Sequence, residues 1–213
     1  MIRKVIATVI ISLVTLNYIQ AQDKFKRELS LGASFGTTFS KVSFAQTKVQ
    51  QKMKMGYTGG LTLRWITEKN LGLQAELNFI QHGWDEKFED QPQYKYSRTI
   101  NYFELPVLTH IYFGSKRFRV FVNLGPKIGY AFGEKTDENL NGAKHDMPIE
   151  KKFDWGLCGG PGIELRTGIG SFLLEGRYYY ALSDIFNSRK EDYFSKSSSQ
   201  VISAKITYMI PGF

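Results

Sequence analysis

Residues 29–40, "LSLGASFGTTFS", place Leu29, Leu31, Ala33, Phe35, Thr37 and Phe39 on one parity and Ser30, Gly32, Ser34, Gly36, Thr38 and Ser40 on the other. Successive side chains of a β-strand point to opposite faces, so one face of this segment meets an apolar medium and the other a polar one. The same alternation returns at 57–66, 71–82, 102–113, 118–132, 153–166, 172–182 and 202–210. That makes eight strands, with no useful helical period between them. The connections alternate as well. Three are tight, around Thr67–Asn70, Gly114–Arg117 and Thr167–Ser171, and four are long and charged, at 41–55, 84–98, 133–152 and 183–198. An even number of strands, short turns at one end and long loops at the other describe an up-and-down transmembrane barrel. The expected fold is all-β: a closed eight-stranded antiparallel barrel with both termini on the short-turn side.

Eight alternating strands also suit a soluble barrel whose apolar face points inward. The residue sizes decide against it. The apolar face carries rows of Trp, Tyr and Phe, whereas an eight-stranded barrel is only wide enough inside for side chains to fill it. The opposite face is rich in Gly, Ser and Thr with isolated charges, which fits a crowded interior. In hydrocarbon every backbone polar group needs a partner, which only helices and closed barrels supply. The apolar face is therefore expected to meet lipid. Trp65, Phe118 and Phe172 would form one interfacial girdle, and Tyr57, Tyr130, Trp155 and Tyr180 the other.

The segment "YFELPVLTHIYF" (102–113) sets Glu104 and Pro106 inside a greasy run. With Phe103, Leu105, Val107 and Ile111 toward lipid, Glu104 points inward, where a cation can meet it. Pro106 lacks a ladder donor, so a bulge or a skipped bond is expected there, with Pro126 and Pro161 raising the same question on the next strands. The inward charges are Arg64, Glu76, Glu104, Arg119, Lys127, Asp154, Glu164, Glu175, Arg177 and Lys205. Five acids against five bases point to a neutralised interior network; a selective pore more often shows one dominant sign. Matching heights on neighbouring strands pairs Glu104 with Lys127, Glu164 with Arg119 and Glu175 with Lys205.

The first 21 residues read as a secretory signal: Arg3 and Lys4, an apolar stretch from Val5 to Leu16, and Ala21 before a polar residue. The apolar run is too short for a membrane anchor. Residues 22–213 then form one barrel domain. Removing Arg3 and Lys4 lowers the net charge from +8 to +6. The lone Cys158 excludes an intramolecular disulfide, and it reads as an inert interior thiol.

Signals for catalysis are sparse. His82 is expected inward near the long-loop end, His110 inward near the short-turn end, and His145 in a loop. No partner spacing marks a lipid-modifying constellation at the rim. "GGPG" at 159–162 lacks the lysine and helix of a phosphate loop. No spacing suggests a metal site or a cofactor. Nucleic-acid binding is set aside, because an export signal is present and no recognised module appears.

"GGLTLRW", "YFELPVLTHIYFG", "GPKIGYAF", "GGPGIEL" and the terminal Phe213 resemble the PorT-like outer-membrane β-barrel family of Bacteroidetes-type bacteria. The resemblance implies a small barrel of the OmpA/OmpX type in a Gram-negative outer membrane, inserted by the outer-membrane assembly machinery. One namesake member of that family supports protein secretion. The expected function is a structural or surface-interaction barrel presenting four long extracellular loops. A narrow porin-like channel or a transport or secretion accessory is the alternative, and a lipid-modifying enzyme a distant one. Lys41, Lys48, Lys52 and Lys54 crowd the first long loop without an acid. They are expected either to solvate it or to meet lipopolysaccharide phosphates, since lysine is a compact donor suited to phosphate.

Overall fold

The structure, a computed structural model, describes residues 26–44, 50–87, 95–139, 152–183 and 197–211. The signal segment, His145, Lys48 and Phe213 lie outside these residues. Eight strands follow in chain order: β1 (Glu28–Phe44), β2 (Gln50–Glu68), β3 (Leu71–Lys87), β4 (Lys95–Gly114), β5 (Phe118–Asn139), β6 (Phe153–Thr167), β7 (Gly170–Ala181) and β8 (Ser197–Met209). Each pairs antiparallel with its sequence neighbours, and β8 pairs with β1 from Gly32↔Met209 to Phe44↔Ser197, which closes the barrel. Closure leaves no edge with unpaired backbone groups, as a lipid-exposed sheet requires.

The two faces fall as the alternation predicts. Every apolar residue assigned outward on β5, from Phe118 to Phe132, is exposed, and the polar set Asn123, Lys127 and Gly129 is buried. Most large outward side chains of the strands are exposed, up to 65 % at Phe35, while Phe79 is half-buried against its aromatic neighbours. Such a continuous apolar belt is intolerable in water and is what lipid demands. Aromatic contacts tie neighbouring strands along this wall. Phe103 stacks on Phe132 with centroids 4.5 Å apart, and Phe172 meets Tyr208 at 5.2 Å.

The tight turns are those expected. Asn70 takes a left-handed φ of 70° in the β2–β3 turn, a conformation Asn tolerates, and its Nδ2 donates to the Tyr112 carbonyl at 2.6 Å. Gly114 enters the β4–β5 turn at φ 131°, where any Cβ would sit 2.5 Å from the Phe118 carbonyl oxygen.

The long loops are shorter than the sequence suggested. The 41–55 and 84–98 segments are mostly strand and 133–152 is strand as far as Asn139, so that 45–49, 88–94 and 140–152 separate β1 from β2, β3 from β4 and β5 from β6. The ladder runs on through Lys52↔Asp85 and Arg98↔Thr136. Beyond the apolar belt the outward face no longer meets lipid, so hydrophobic alternation fades while backbone pairing persists. The signal used to end those strands was the loss of lipid contact, not the loss of structure.

Pro106 does interrupt the ladder. Pairing of β4 with β5 passes from Pro106↔Lys127 to Thr109↔Leu124 with unchanged register, and the register shift lies instead at Asn101/Tyr102. The ladder of β6 with β7 likewise skips Gly160 and Pro161 without a shift. Pro126 stands opposite Leu157 with no register shift there.

Candidate functional site: the barrel lumen

The lumen is layered. Its floor, at the short-turn end, is apolar: Ile66, Tyr112, Phe121, Leu173 and Met209 pack together. None of these five stood out in the sequence. "YFELPVLTHIYF" and "RFRVFVNL" are greasy on both parities, and one parity supplied this floor while the other supplied the wall.

Above the floor, Arg64 of β2 reaches across the lumen to Glu164 of β6. Its Nη2 donates to Oε1 at 2.9 Å and its Nη1 to Oε2 at 3.3 Å, with both side chains fully buried. The expected partner of Glu164 was Arg119. The two do stand opposite each other in the ladder, yet the Arg119 guanidinium lies over the Tyr112 ring, 4.4 Å from its centroid. A planar guanidinium is well suited both to that stack and to the bidentate grip made by Arg64. His110 is buried at this level, its Nδ1 2.8 Å from Asn123 Oδ1.

The next layer centres on Glu76 of β3. Its Oε2 accepts from Arg177 Nη1 at 2.8 Å, Lys205 Nζ at 2.7 Å and Asn78 Nδ2 at 2.8 Å. Its Oε1 accepts from Arg177 Nη2 and Gln74 Nε2, both at 2.7 Å. Arg177 also donates through Nε (2.9 Å) and Nη2 (2.7 Å) to Glu175 Oε1. Glu175 and Lys205 face each other across the β7–β8 ladder as expected, but Lys205 spends its ammonium on Glu76. Two carboxylates and two cations cancel, so the layer is neutral and its charged groups are paired, as a buried network requires, while Gln74 Oε1 and Asn78 Oδ1 are buried without a protein partner.

Higher still, Lys127 donates to Glu104, the pair read from the sequence, and its Nζ sits 3.1 Å from the centre of the Tyr179 ring. His82 Nε2 is 3.1 Å from the same Glu104 oxygen. Asp154 accepts from Tyr179 Oη at 2.7 Å and Ser183 Oγ at 2.6 Å. His82, Glu104 and Asp154, on β3, β4 and β6, converge so that one donor atom of each lies within 4.8 Å of the others, a grouping that no spacing along the chain announces. Protein donors already engage both acids of this group: Glu104 accepts from Lys127, and Asp154 from Tyr179 and Ser183. Cys158 is a buried free thiol beside Leu108, Tyr179, Ala181 and Val201.

At the long-loop mouth, Arg98 pairs with Glu134. Lys54 stands opposite the inward Ser40, and its ammonium donates to Ser97 Oγ at 2.6 Å, which donates to Asp85 Oδ1 at 2.7 Å. Lys54 therefore does not sit in a loop as expected. Lys41 and Lys52 lie in β1 and β2, with Lys41 following Phe39 on the outward row of β1.

A closed barrel with a lipid-facing apolar belt, aromatic residues toward both ends and a salt-bridged lumen defines a small transmembrane barrel of a Gram-negative outer membrane. The chain belongs to the family described as outer membrane protein beta-barrel domain, whose model matches residues 20–187. No curated protein matches the sequence. Among solved structures, the chain is similar to the outer membrane protein OprG from Pseudomonas aeruginosa, at 15 % identity and a TM-score of 0.45, covering 87 % of this chain and 93 % of that one. It is similar to Ail of Yersinia pestis, at 12 % identity and 0.45, covering 87 % and 100 %. It is also similar to Outer Membrane Protein W of E. coli, at 16 % identity and 0.39, covering 87 % and 98 %.

Proposed function

We propose that this chain is a structural and surface-interaction barrel, non-conducting and non-enzymatic, that anchors extended strands and their connecting loops at the cell surface. The observation that carries this reading is the set of ion pairs spanning the lumen: Arg64–Glu164 joins β2 to β6, and Arg177 and Lys205 join β7 and β8 to Glu76 on β3. These bonds fill the bore with paired charge and brace opposite walls, leaving the long-loop end to carry the function. Planar-bilayer recording tests it: a flat trace is expected, and discrete conductance steps would favour the narrow channel or transport accessory instead. An unchanged lipid profile in a deletion strain is expected of a non-enzyme.

The same reading places the short turns in the periplasm, has the 1–21 signal removed after Ala21, and keeps kinship with the PorT-like branch as the finer assignment. N-terminal sequencing of the mature protein checks the cleavage. Lys41, Lys48 and Lys52 are the lysines left for lipopolysaccharide phosphates, Lys54 being held by Ser97. Changing the three to Gln should reduce lipopolysaccharide co-purification, less so as salt rises; unchanged co-purification at low salt would remove this contact.

A further inference from the structure

The short-turn rim is basic. Among the described residues at this level, Lys26, Arg27, Lys69, Lys116, Arg117 and Arg166 outnumber the rim acids Glu28 and Glu68. Arg166 is already engaged, with Glu28 at 2.6 Å and Glu164 at 3.8 Å. Lys116 and Arg117 are exposed and make no ion pair with any described residue. The turn that carries them is fixed: Ser115 Oγ accepts from the backbone N–H of Arg117 at 3.3 Å and of Phe118 at 3.1 Å. The Arg117 carbonyl in turn accepts from Arg166 N–H at 2.8 Å, which ties this turn to the end of β6.

Between these two elements lies an open cleft of about 630 Å³, lined by Lys116, Arg117, Leu165, Arg166, Thr167 and Gly168. Two unpartnered cations stand on one side of it. On the other, Leu165 begins an outward row that continues through Ile163 and lies beside Phe118 and Val120 on β5. These side chains are 43–51 % exposed and form part of the lipid-facing belt. A ligand that uses both features must be amphipathic, with an anion at the rim and a hydrocarbon chain along the wall. We propose that this cleft is a headgroup site for an anionic phospholipid of the leaflet on the short-turn side. The lipid phosphodiester sits between Lys116 and Arg117, and an acyl chain lies along Leu165 and Ile163. A guanidinium and an ammonium together suit a phosphodiester, one as a fork and the other as a point charge. A soluble anion or a cell-wall carboxylate would use the cations but not the apolar wall.

The test is native mass spectrometry of the full mature chain released from nanodiscs holding equal phosphatidylglycerol and phosphatidylcholine. The wild type should retain phosphatidylglycerol selectively. The double variant K116Q/R117Q changes only exposed turn side chains and should still show the gel shift of a folded barrel. It should lose that selectivity by about thirty-fold, or ~2 kcal/mol at 1.4 kcal/mol per tenfold. Leu165→Asn should also weaken retention, while Lys152→Gln at the opposite end should not. Equal retention of the two lipids by the wild type, or undiminished selectivity in K116Q/R117Q, would overturn the site. Displacement of the bound lipid by glycerol 3-phosphate alone, at concentrations matching its lipid counterpart, would make it an anion site and overturn the lipid assignment.

Discussion

Glu76→Gln is the substitution to which the lumen should respond most. The Glu76 carboxylate accepts five hydrogen bonds, three of them from cationic side chains, and it is 3 % exposed. Replacing it by an amide leaves Arg177 and Lys205 with Glu175 as the only acid in the layer. It also turns one acceptor into a donor facing donors. Breaking a buried pair from one side costs about 3–5 kcal/mol, because the remaining charge stays desolvated. At a guanidinium slope of about 4 kcal/mol/M, a loss of ~4 kcal/mol moves the unfolding midpoint down by about 1 M. The assay is reversible guanidinium unfolding of the mature barrel in lipid vesicles, followed by tryptophan fluorescence and by the gel mobility of the folded form. Glu175→Gln serves as the comparison. Arg177 keeps both of its bonds to Glu76 there, so the shift should be smaller. A Glu76→Gln midpoint within 0.2 M of the wild type, an allowance of roughly 1 kcal/mol at that slope, would show that the lumen is wet enough to solvate the stranded cations. The braced-lumen argument would then fail.

Arg64→Met should also destabilise by about 3–5 kcal/mol, since it strands the fully buried Glu164, whereas Arg119→Gln should cost less; comparable midpoints for the two in the same titration would mean Arg119 is the true partner. Gly160→Ala should cost about 1–3 kcal/mol, because its Cβ would sit 1.9 Å from the Gly176 carbonyl oxygen, while Gly176→Ala, with nothing within 4 Å, should stay within ~0.5 kcal/mol. Equal stabilities would show that the β6–β7 wall spreads freely. Cysteines placed at Asn70 or Ser115 should resist a membrane-impermeant maleimide in intact cells, and labelling there would reverse the proposed orientation.

Which face each strand turns to lipid was legible because the side-chain period of a strand is two, and solvent polarity imprints directly on that period. Glu104–Lys127 was legible too, since adjacent strands with known turns share a height. Arg64–Glu164 and Lys205–Glu76 were not. Alternation says that a side chain points inward but not how far across the bore it reaches, and long flexible cations skip the nearest acid for one with better geometry. Phe121, 2 % exposed, was hidden for another reason: where wall and filling are both apolar, no contrast separates the parities. Trp84, equally buried, was hidden because it fell in the 84–98 segment read as a loop. In the His82–Glu104–Asp154 cluster β3 and β4 are ladder neighbours but β6 is not, and it is the curl of the wall that brings Asp154 to the other two.

The strands that outrun the apolar belt give the barrel an uneven profile. β5 continues from Tyr130 to Asn139, whereas β7 stops at Ala181, one residue past Tyr180. Nine further residues at ~3.3 Å each, tilted by roughly 40°, raise that side by about 20 Å. Among the described residues, and on the orientation proposed above, β3, β4 and β5 stand as a mast whose paired backbone continues beyond the level where β6 and β7 part. A partner at the cell surface would find on that mast a rigid ladder with side chains presented on two faces, clear of the lipid.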